Sequence, residues 1–361
     1  MSIWNWQQAF DGVAAGYQIS LGEADTPILR SRFIGPRVGL KNLYFKIESA
    51  NPTGSFKDRY AALAISHMLA NEQTKCLATS SGNTGAALAA YCALASIECH
   101  IAVVEDAPAG KLQQMLAYGA TISRIEGFGT QPETTQAVFD VLETASSADN
   151  VALQISAFRY SPAGMNGLKS ISHELQRQLP HGIDHVFCQA GGGGLALGVA
   201  QGFLDIQTSL DTFSLPKVHI VQPEGNDTMA SALRFPNDSP CAVDCWTRIS
   251  GLQVASVVDG LEAIEACRKT EGNGFLVIDD TVWECQRTLA EMEGVFCEPA
   301  GAVSVVGAIT AFQMGQIKGD DIVVCPITGS GFKDPASVIR MNENRDCPCL
   351  SREKFQQLFG Q

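Results

Sequence analysis

The sequence has few basic residues and only short apolar runs. These two features argue against nucleic acids and membranes as partners. It carries 25 lysine and arginine residues against 38 aspartate and glutamate residues, a formal net charge of -13. Nucleic acids and anionic membranes are bound through basic surfaces, so this composition argues against both. No apolar run approaches the roughly 20 residues of a membrane-spanning helix. The N-terminal "MSIWNWQQAF" lacks the basic and apolar regions of a signal peptide. We therefore predict a cytoplasmic protein that acts on a small molecule.

The sequence also lacks the cysteine spacing of a zinc site. It has 12 cysteines but no CxxC pair. The closest spacings, Cys241 with Cys245 and Cys347 with Cys349, come without a second pair or a histidine at ligand spacing. Most of the other cysteines lie in apolar segments, which is typical of buried, reduced thiols. From this pattern we predict no metal site.

Short β-rich segments alternate with longer, alanine-rich segments along most of the chain. "KCLATSS" predicts a strand before the helix "NTGAALAAYCALASI", and "DHVFCQA" predicts a strand before the helix "LALGVAQGFLDI". Repeated strand–helix units predict an α/β fold with mainly parallel, twisted sheets that are covered on both faces. We predict two three-layer α/β/α domains with the ligand in the cleft between them. Residues 1–65 and 153–361 would form the larger domain, and residues 66–152 the smaller, inserted one.

Four successive glycines, Gly191 to Gly194, lie between a predicted strand and a predicted helix, and we call them the glycine turn. Glycines cost backbone entropy on folding, so a run of four needs a reason. Bare N–H groups at a helix start bind phosphate well. No GKS or GKT follows the glycines, and the GxGxxG spacing is not kept, so a nucleotide is disfavoured. The glycine turn predicts a phosphate site; a flexible turn or a different phosphate ligand is the alternative.

Two other loops and one lysine complete the candidate site. The loop "ATSSGNTGAALAA" has five polar side chains at a helix start, although capping needs only one. These side chains would suit a carboxylate ligand. They are Thr79, Ser80, Ser81, Asn83 and Thr84. Thr328 follows a third apolar strand in "CPITGSGFKD", and Lys57 follows a turn in "SANPTGSFKDRYAALA". A phosphate site, a carboxylate site and one lysine predict a phosphorylated cofactor such as pyridoxal phosphate, held by the lysine amine.

Five segments in this order resemble a known family. "NPTGSFKDR", "SSGNTGAALA", "GGGGL", "EPAGAVS" and "TGSGFKD" together resemble the tryptophan-synthase-β-like superfamily, which is fold type II of the pyridoxal phosphate enzymes. The threonine synthase branch is the most similar, because "SLGEADTPILRSR" and "TGSGFKDP" resemble its opening and closing motifs. The resemblance runs from about Leu21 to Pro335. It implies pyridoxal 5'-phosphate as the cofactor, a small amino-acid substrate and a homodimer.

The resemblance assigns a role to each matching residue. Lys57 matches the Schiff-base lysine, which also serves as general base and acid. Asn83 matches the partner of the cofactor's ring hydroxyl, the glycine turn matches the phosphate cup, and Thr328 matches the hydroxyl partner of the ring nitrogen. A neutral hydroxyl there suits elimination and replacement better than transamination. The substrate carboxylate would lie at the loop formed by Thr79, Ser80, Ser81, Asn83 and Thr84.

The substrate itself is open at this point. In threonine synthases, the segment before an "EGQKT"-like sequence supplies an arginine for the substrate phosphate. Here the segment is "SAFRYSPAGMNGLKS", and Arg159 lies several residues earlier than the match requires. The resemblance implies conversion of O-phospho-L-homoserine and water to L-threonine and phosphate. The alternatives are a cysteate synthase-type replacement on O-phosphoserine, a serine or threonine dehydratase, and a catalytically silent homologue that binds an amino acid.

Overall fold

Helices and strands alternate along the chain in the computed structural model, which describes residues 2–10, 12–80, 82–107, 109–210, 212–235 and 238–359. The strands are β1 (Ile28–Arg30), β2 (Asn42–Lys46), β3 (Lys75–Thr79), β4 (Glu98–Val104), β5 (Thr121–Ile125), β6 (Val151–Leu153), β7 (His185–Gln189), β8 (Lys217–Pro223), β9 (Gly274–Val277) and β10 (Ile322–Pro326). The α-helices are α1 (Ile34–Val38), α2 (Lys57–Ala70), α3 (Asn83–Ala95), α4 (Ala109–Ala117), α5 (Pro132–Ala145), α6 (Pro162–Met165), α7 (Ser170–Gln178), α8 (Gly194–Ser209), α9 (Ala230–Arg234), α10 (Gly260–Lys269), α11 (Asp279–Thr288), α12 (Pro299–Gln313), α13 (Pro335–Met341) and α14 (Arg352–Phe359). The predicted α/β class with mainly parallel sheets is confirmed.

The larger sheet has the order β1-β2-β10-β7-β8-β9. Its neighbouring strands pair in parallel, except that β1 pairs antiparallel with β2. All five residues of β7 are buried, as expected for a central strand covered by helices on both faces. Because the strands are parallel, the carboxyl ends of β10 and β7 lie at the same edge of the sheet. Thr328 follows one of these ends, and the glycine turn follows the other.

The smaller sheet has the order β5-β4-β3-β6, and all of its strands are parallel. Its strands occupy the chain from Lys75 to Leu153. Helices α2 and α3 pack against each other and share one apolar core with this sheet. The predicted domain boundary between residues 65 and 66 falls inside α2, which is a continuous helix. The division into domains stays a prediction.

The predicted elements differ from the observed ones at their ends: the helix "NTGAALAAYCALASI" ends at Ala95, and the helix "LALGVAQGFLDI" extends to Ser209. The segment "NVALQIS" contains β6, which ends at Leu153 and pairs only with the first residues of β3. The chain then turns, and Ser156 lies among side chains of the candidate site instead of in the sheet. Near the C-terminus the chain forms one more short helix, α14. In the described part of the chain, no helix is long and apolar enough to cross a membrane.

A network of charged side chains is buried behind the first turn of α2. The Arg59 guanidinium donates to both oxygens of Glu48 at 2.7 Å, and to the Glu174 oxygens at 2.6 and 2.8 Å. The Lys46 amine donates to Glu174 Oε2 at 2.7 Å. These four side chains have no solvent exposure. Since Glu174 lies in α7 and Lys46 in β2, the network fixes the start of α2 against the larger sheet.

Candidate active site

The turn before Lys57 is held in place on both sides. The Asp58 carboxylate accepts from the Thr53 N–H at 3.1 Å and from the Thr53 hydroxyl at 2.7 Å. The Phe56 N–H donates to the Thr328 carbonyl oxygen at 3.0 Å. Thr328 follows β10, so this bond places Lys57, the first residue of α2, at the carboxyl edge of the larger sheet.

The Lys57 amine contacts Ser156, which in turn contacts Thr84, so residues from three parts of the chain meet here. The amine donates to Ser156 Oγ at 2.9 Å, and Ser156 Oγ lies 2.8 Å from Thr84 Oγ1 in the first turn of α3. The Phe56 ring centroid lies 4.5 Å from Lys57 Nζ. Burial lowers the pKa of Lys57 to about 8, although Asp259 and Glu298 oppose this shift. The amine therefore releases its proton more readily than an ordinary lysine does.

Asn83 and Glu298 form a second contact, between the start of α3 and the residue before α12. Asn83 is the first residue of α3, and its Nδ2 donates to Glu298 Oε1 at 2.8 Å. Burial raises the pKa of Glu298 to about 7, while the Asn83 donor and the nearby amines of Lys111 and Lys333 lower it. A side chain at Gly329 would place its Cβ 2.2 Å from Glu298 Oε1, so a larger residue cannot replace this glycine without displacing the pair. The second N–H of the Asn83 amide is left for another acceptor.

The glycine turn has the geometry of an anion site. Gly193 has a φ of +97°, which favours glycine. A Cβ at Gly194 would lie 2.5 Å from Met165 Cε, so a side chain there would require Met165 to move. Among the described residues, no protein group accepts a hydrogen bond from the N–H groups of Gly191, Gly192 or Gly193. These bare donors at the start of the 16-residue α8 suit a phosphate.

Thr328 carries a hydroxyl just beyond β10, at the same carboxyl edge of the larger sheet. Its side chain is buried, and its Oγ1 accepts from Gln189 Nε2 at 2.7 Å. A hydroxyl that accepts one hydrogen bond keeps its own proton for an acceptor. An unprotonated ring nitrogen is such an acceptor.

Asp259 connects the glycine turn to the segment that carries Arg159. Its N–H donates to the Gly192 carbonyl oxygen at 2.9 Å. Its carboxylate accepts from the Phe158 N–H at 2.9 Å and from the Arg159 N–H at 3.1 Å. The Arg159 side chain is exposed, and its guanidinium lies over the Tyr160 ring at 5.7 Å from the centroid. The backbone of Arg159 therefore borders the site, while its side chain lies outside the contacts around Lys57.

The remaining predicted residues lie along the loop after β3. Thr79 ends that strand, Ser80 Oγ accepts from the Gly82 N–H at 3.2 Å, and Ser81 lies outside the described residues. Lys57 is thus linked to Thr84 through Ser156. Asn83 contacts Glu298, which lies against Gly329 in the loop of Thr328.

Sequence reasoning missed two of the residues that make these contacts and gave a third no role. It assigned nothing to Ser156 or Asp259, and it quoted Glu298 only as part of a motif. Asp259 and Glu298 each immediately precede a helix, where acidic residues are common, and neither side chain caps its helix. Ser156 carries no such signal, because its position depends on where β6 ends.

Comparisons with known proteins place this geometry in context. The family model described as pyridoxal-phosphate dependent enzyme matches residues 19–329. A threonine synthase from Methanocaldococcus jannaschii is 30% identical over 353 residues, covering 95% of this chain and 83% of that protein. One from Methanosarcina acetivorans is 31% identical over 333 residues, covering 90% of this chain and 79% of that protein. In fold, the chain is similar to the processed form of threonine deaminase isoform 2 from Solanum lycopersicum, with a TM-score of 0.75, 21% identity, and coverage of 96% and 94% of the two chains.

Proposed function

Because the chain belongs to the pyridoxal-phosphate dependent enzymes, we propose that it is a threonine synthase, which converts O-phospho-L-homoserine and water to L-threonine and phosphate. The similarity to threonine synthases over nearly the whole chain carries this proposal. The geometry around Lys57 supports it, since the side chains needed for proton transfer at an amino acid lie together in one cleft.

The residues present fit pyridoxal 5'-phosphate. The free N–H groups of the glycine turn would hold its phosphate, and the Thr328 hydroxyl would donate to its ring nitrogen. The free amide N–H of Asn83 would bond its ring hydroxyl. When bound, the cofactor supplies an electron sink for the carbanion formed on the substrate.

Lys57 and Ser156 are the proton-handling groups of this proposal. With its pKa lowered to about 8 by burial, the Lys57 amine is a better base near neutral pH than an exposed lysine. The Ser156 hydroxyl lies 2.9 Å from Lys57 Nζ and can hold the amine's orientation while the amine accepts and returns protons. Thr84, at 2.8 Å from Ser156, extends this contact to the start of α3.

The substrate carboxylate would lie at the N-terminus of α3, beside the hydroxyls of Ser80 and Thr84. Helix N-termini favour negative charge, and α3 is a helix of 13 residues. For the substrate phosphate, the candidate cations are Arg159 and the amines of Lys111 and Lys333, which already act on Glu298. The exposed side chain of Arg159 is the observation that keeps a different leaving group as the second candidate.

Product analysis with purified, cofactor-loaded protein tests the proposal. With O-phospho-L-homoserine, phosphate and threonine should appear in equal amounts. O-phosphoserine with and without sulfite, serine, and threonine test the cysteate synthase and dehydratase alternatives. Phosphate release without threonine, or turnover of only an unphosphorylated amino acid, would reject the threonine synthase assignment.

Replacing Glu298 should separate its hydrogen bond to Asn83 from its charge. In Glu298→Ala the Asn83 amide loses its acceptor, and we expect about tenfold weaker cofactor binding, the effect of one buried hydrogen bond. Glu298→Gln keeps an acceptor oxygen, so cofactor affinity should stay within about threefold of the original. Because the pKa of Glu298 is raised to about 7 by burial, the wild-type affinity should change between pH 6 and 8. The part of this pH dependence that comes from Glu298 should disappear in Glu298→Gln, while the part that comes from Lys57, with its pKa of about 8, should remain. Absorbance titration with pyridoxal phosphate measures the cofactor affinity of the wild type and of both variants. Unchanged binding in Glu298→Ala would refute the role of Glu298 in positioning Asn83.

The homodimer and the cytoplasmic location stay predictions, as does a phosphorylated substrate. A small amino-acid substrate is consistent with the family.

A further inference from the structure

Three cysteines converge in the core beside the smaller sheet. Cys76 lies in β3, Cys99 in β4 and Cys92 in α3, and we call them the cysteine cluster. Cys76 and Cys99 are directly paired in the register of the two strands. The three sulfur atoms all lie within 4.8 Å of one another, and all three residues are buried. The sequence could not reveal this cluster, because pairing of β3 with β4 and packing of α3 bring the residues together.

The spacing of the sulfurs is close to that of a three-ligand metal site. A metal–sulfur bond of about 2.3 Å puts the sulfurs of a planar three-ligand site about 4 Å apart. Shifts of a few tenths of an ångström would bring the cluster to that spacing from its 4.8 Å limit. A disulfide requires sulfurs about 2.05 Å apart and leaves the third thiol unused. A metal would therefore engage all three thiols, whereas a disulfide would engage only two.

The surroundings favour a thiophilic ion. The cluster lies within an apolar core, and no histidine or carboxylate of the described residues joins the three sulfurs. Thiolate is the form of cysteine that metals bind, and it prefers soft cations. Hard cations such as Mg²⁺ or Ca²⁺ need oxygen ligands and are excluded.

We propose that Cys76, Cys92 and Cys99 bind one thiophilic d¹⁰ cation, Cu(I) or Zn(II). Each thiol that binds as a thiolate releases one proton, so no oxidant or reductant is needed. The set of three sulfurs suits Cu(I), whereas structural zinc usually takes a fourth ligand. A site of thiolates carries a smaller net charge with Zn(II) than with Cu(I), and an apolar core favours the smaller charge. Either ion would connect β3, β4 and α3. The loop of Ser80 lies between β3 and α3, and α3 begins at Asn83.

Metal titration of the reduced, cofactor-loaded protein tests the site. Cu(I) and Zn(II) are titrated separately, without oxygen, against a chromophoric chelator of known affinity. We expect one equivalent of at least one ion per chain, and binding at least about tenfold weaker in Cys92→Ala. Cys267→Ala, which removes a buried cysteine outside the cluster, should leave binding unchanged. The ion that binds more tightly identifies the metal class.

Other outcomes would overturn the proposal. They are the absence of stoichiometric binding by both ions, undiminished binding in Cys92→Ala, and loss of binding when the exposed Cys347 and Cys349 are replaced by serine. X-ray absorption of the metal-loaded wild type needs no variant and should find three sulfur neighbours. A shell of nitrogen and oxygen atoms would place the metal elsewhere, even if Cys92→Ala failed to fold.

Discussion

Replacing Lys57 with alanine should lower turnover of the enzyme's substrate by at least about 10³-fold, within the range that a general acid–base residue supplies. The Lys57 amine is the group in contact with Ser156, and Ser156 connects it to Thr84. Alanine removes both the attachment of the cofactor and the proton-transferring amine, and solvent amines reach a partly buried cleft slowly. Steady-state kinetics measure the loss, and the cofactor absorbance spectrum provides a readout that does not depend on substrate.

Borohydride reduction provides the positive control for this variant. In the wild type, reduction should fix the cofactor on the peptide that contains Lys57, as mass spectrometry can show. Lys217→Ala removes an exposed lysine paired with Glu271 and should retain both labelling and activity. Labelling of a different lysine, or Lys57→Ala activity within about tenfold of the wild type, would contradict the role of Lys57.

The parts of the fold that follow from local signals could be predicted from the sequence. An apolar strand, a glycine run and an alanine-rich helix are continuous in the chain, so the glycine turn and its helix α8 follow from sequence alone. The same holds for β3 and α3, which flank the hydroxyl-rich loop. Parallel pairing then predicts that loops after neighbouring strands lie at one edge.

The contacts that join distant parts of the chain could not be predicted in this way. β2 pairs with β10, although some 280 residues separate them, and no local pattern selects that partner. Ser156 reaches Lys57 because β6 ends at Leu153 and the chain turns before Ser156. Glu298 meets Asn83 only when the two sheets are assembled. Such contacts are set by tertiary packing, so a single sequence gives their residue types but not their partners.

Replacing Arg59 with methionine should destabilise the protein by about 3–5 kcal/mol, the cost of leaving buried charges without their partner. Arg59 is the shared partner of Glu48 and Glu174, and all three side chains lack solvent exposure. Methionine fills much of the space but donates no hydrogen bond, so Glu48 would lose its buried cation and Glu174 would keep only Lys46. Urea unfolding of the cofactor-loaded protein measures the free energy of unfolding.

The expected loss comes from burial, so an exposed pair provides the matched control. Lys41 and Asp320 also form a salt bridge, but their side chains are 68% and 80% exposed. Lys41→Met should therefore change the free energy of unfolding by no more than about 1 kcal/mol. Adding Glu48→Gln to Arg59→Met should recover part of the loss, because it neutralises one stranded carboxylate. Equal effects of Arg59→Met and Lys41→Met would mean that the buried network does not hold the start of α2, and that the position of Lys57 depends on the Thr328 contact instead.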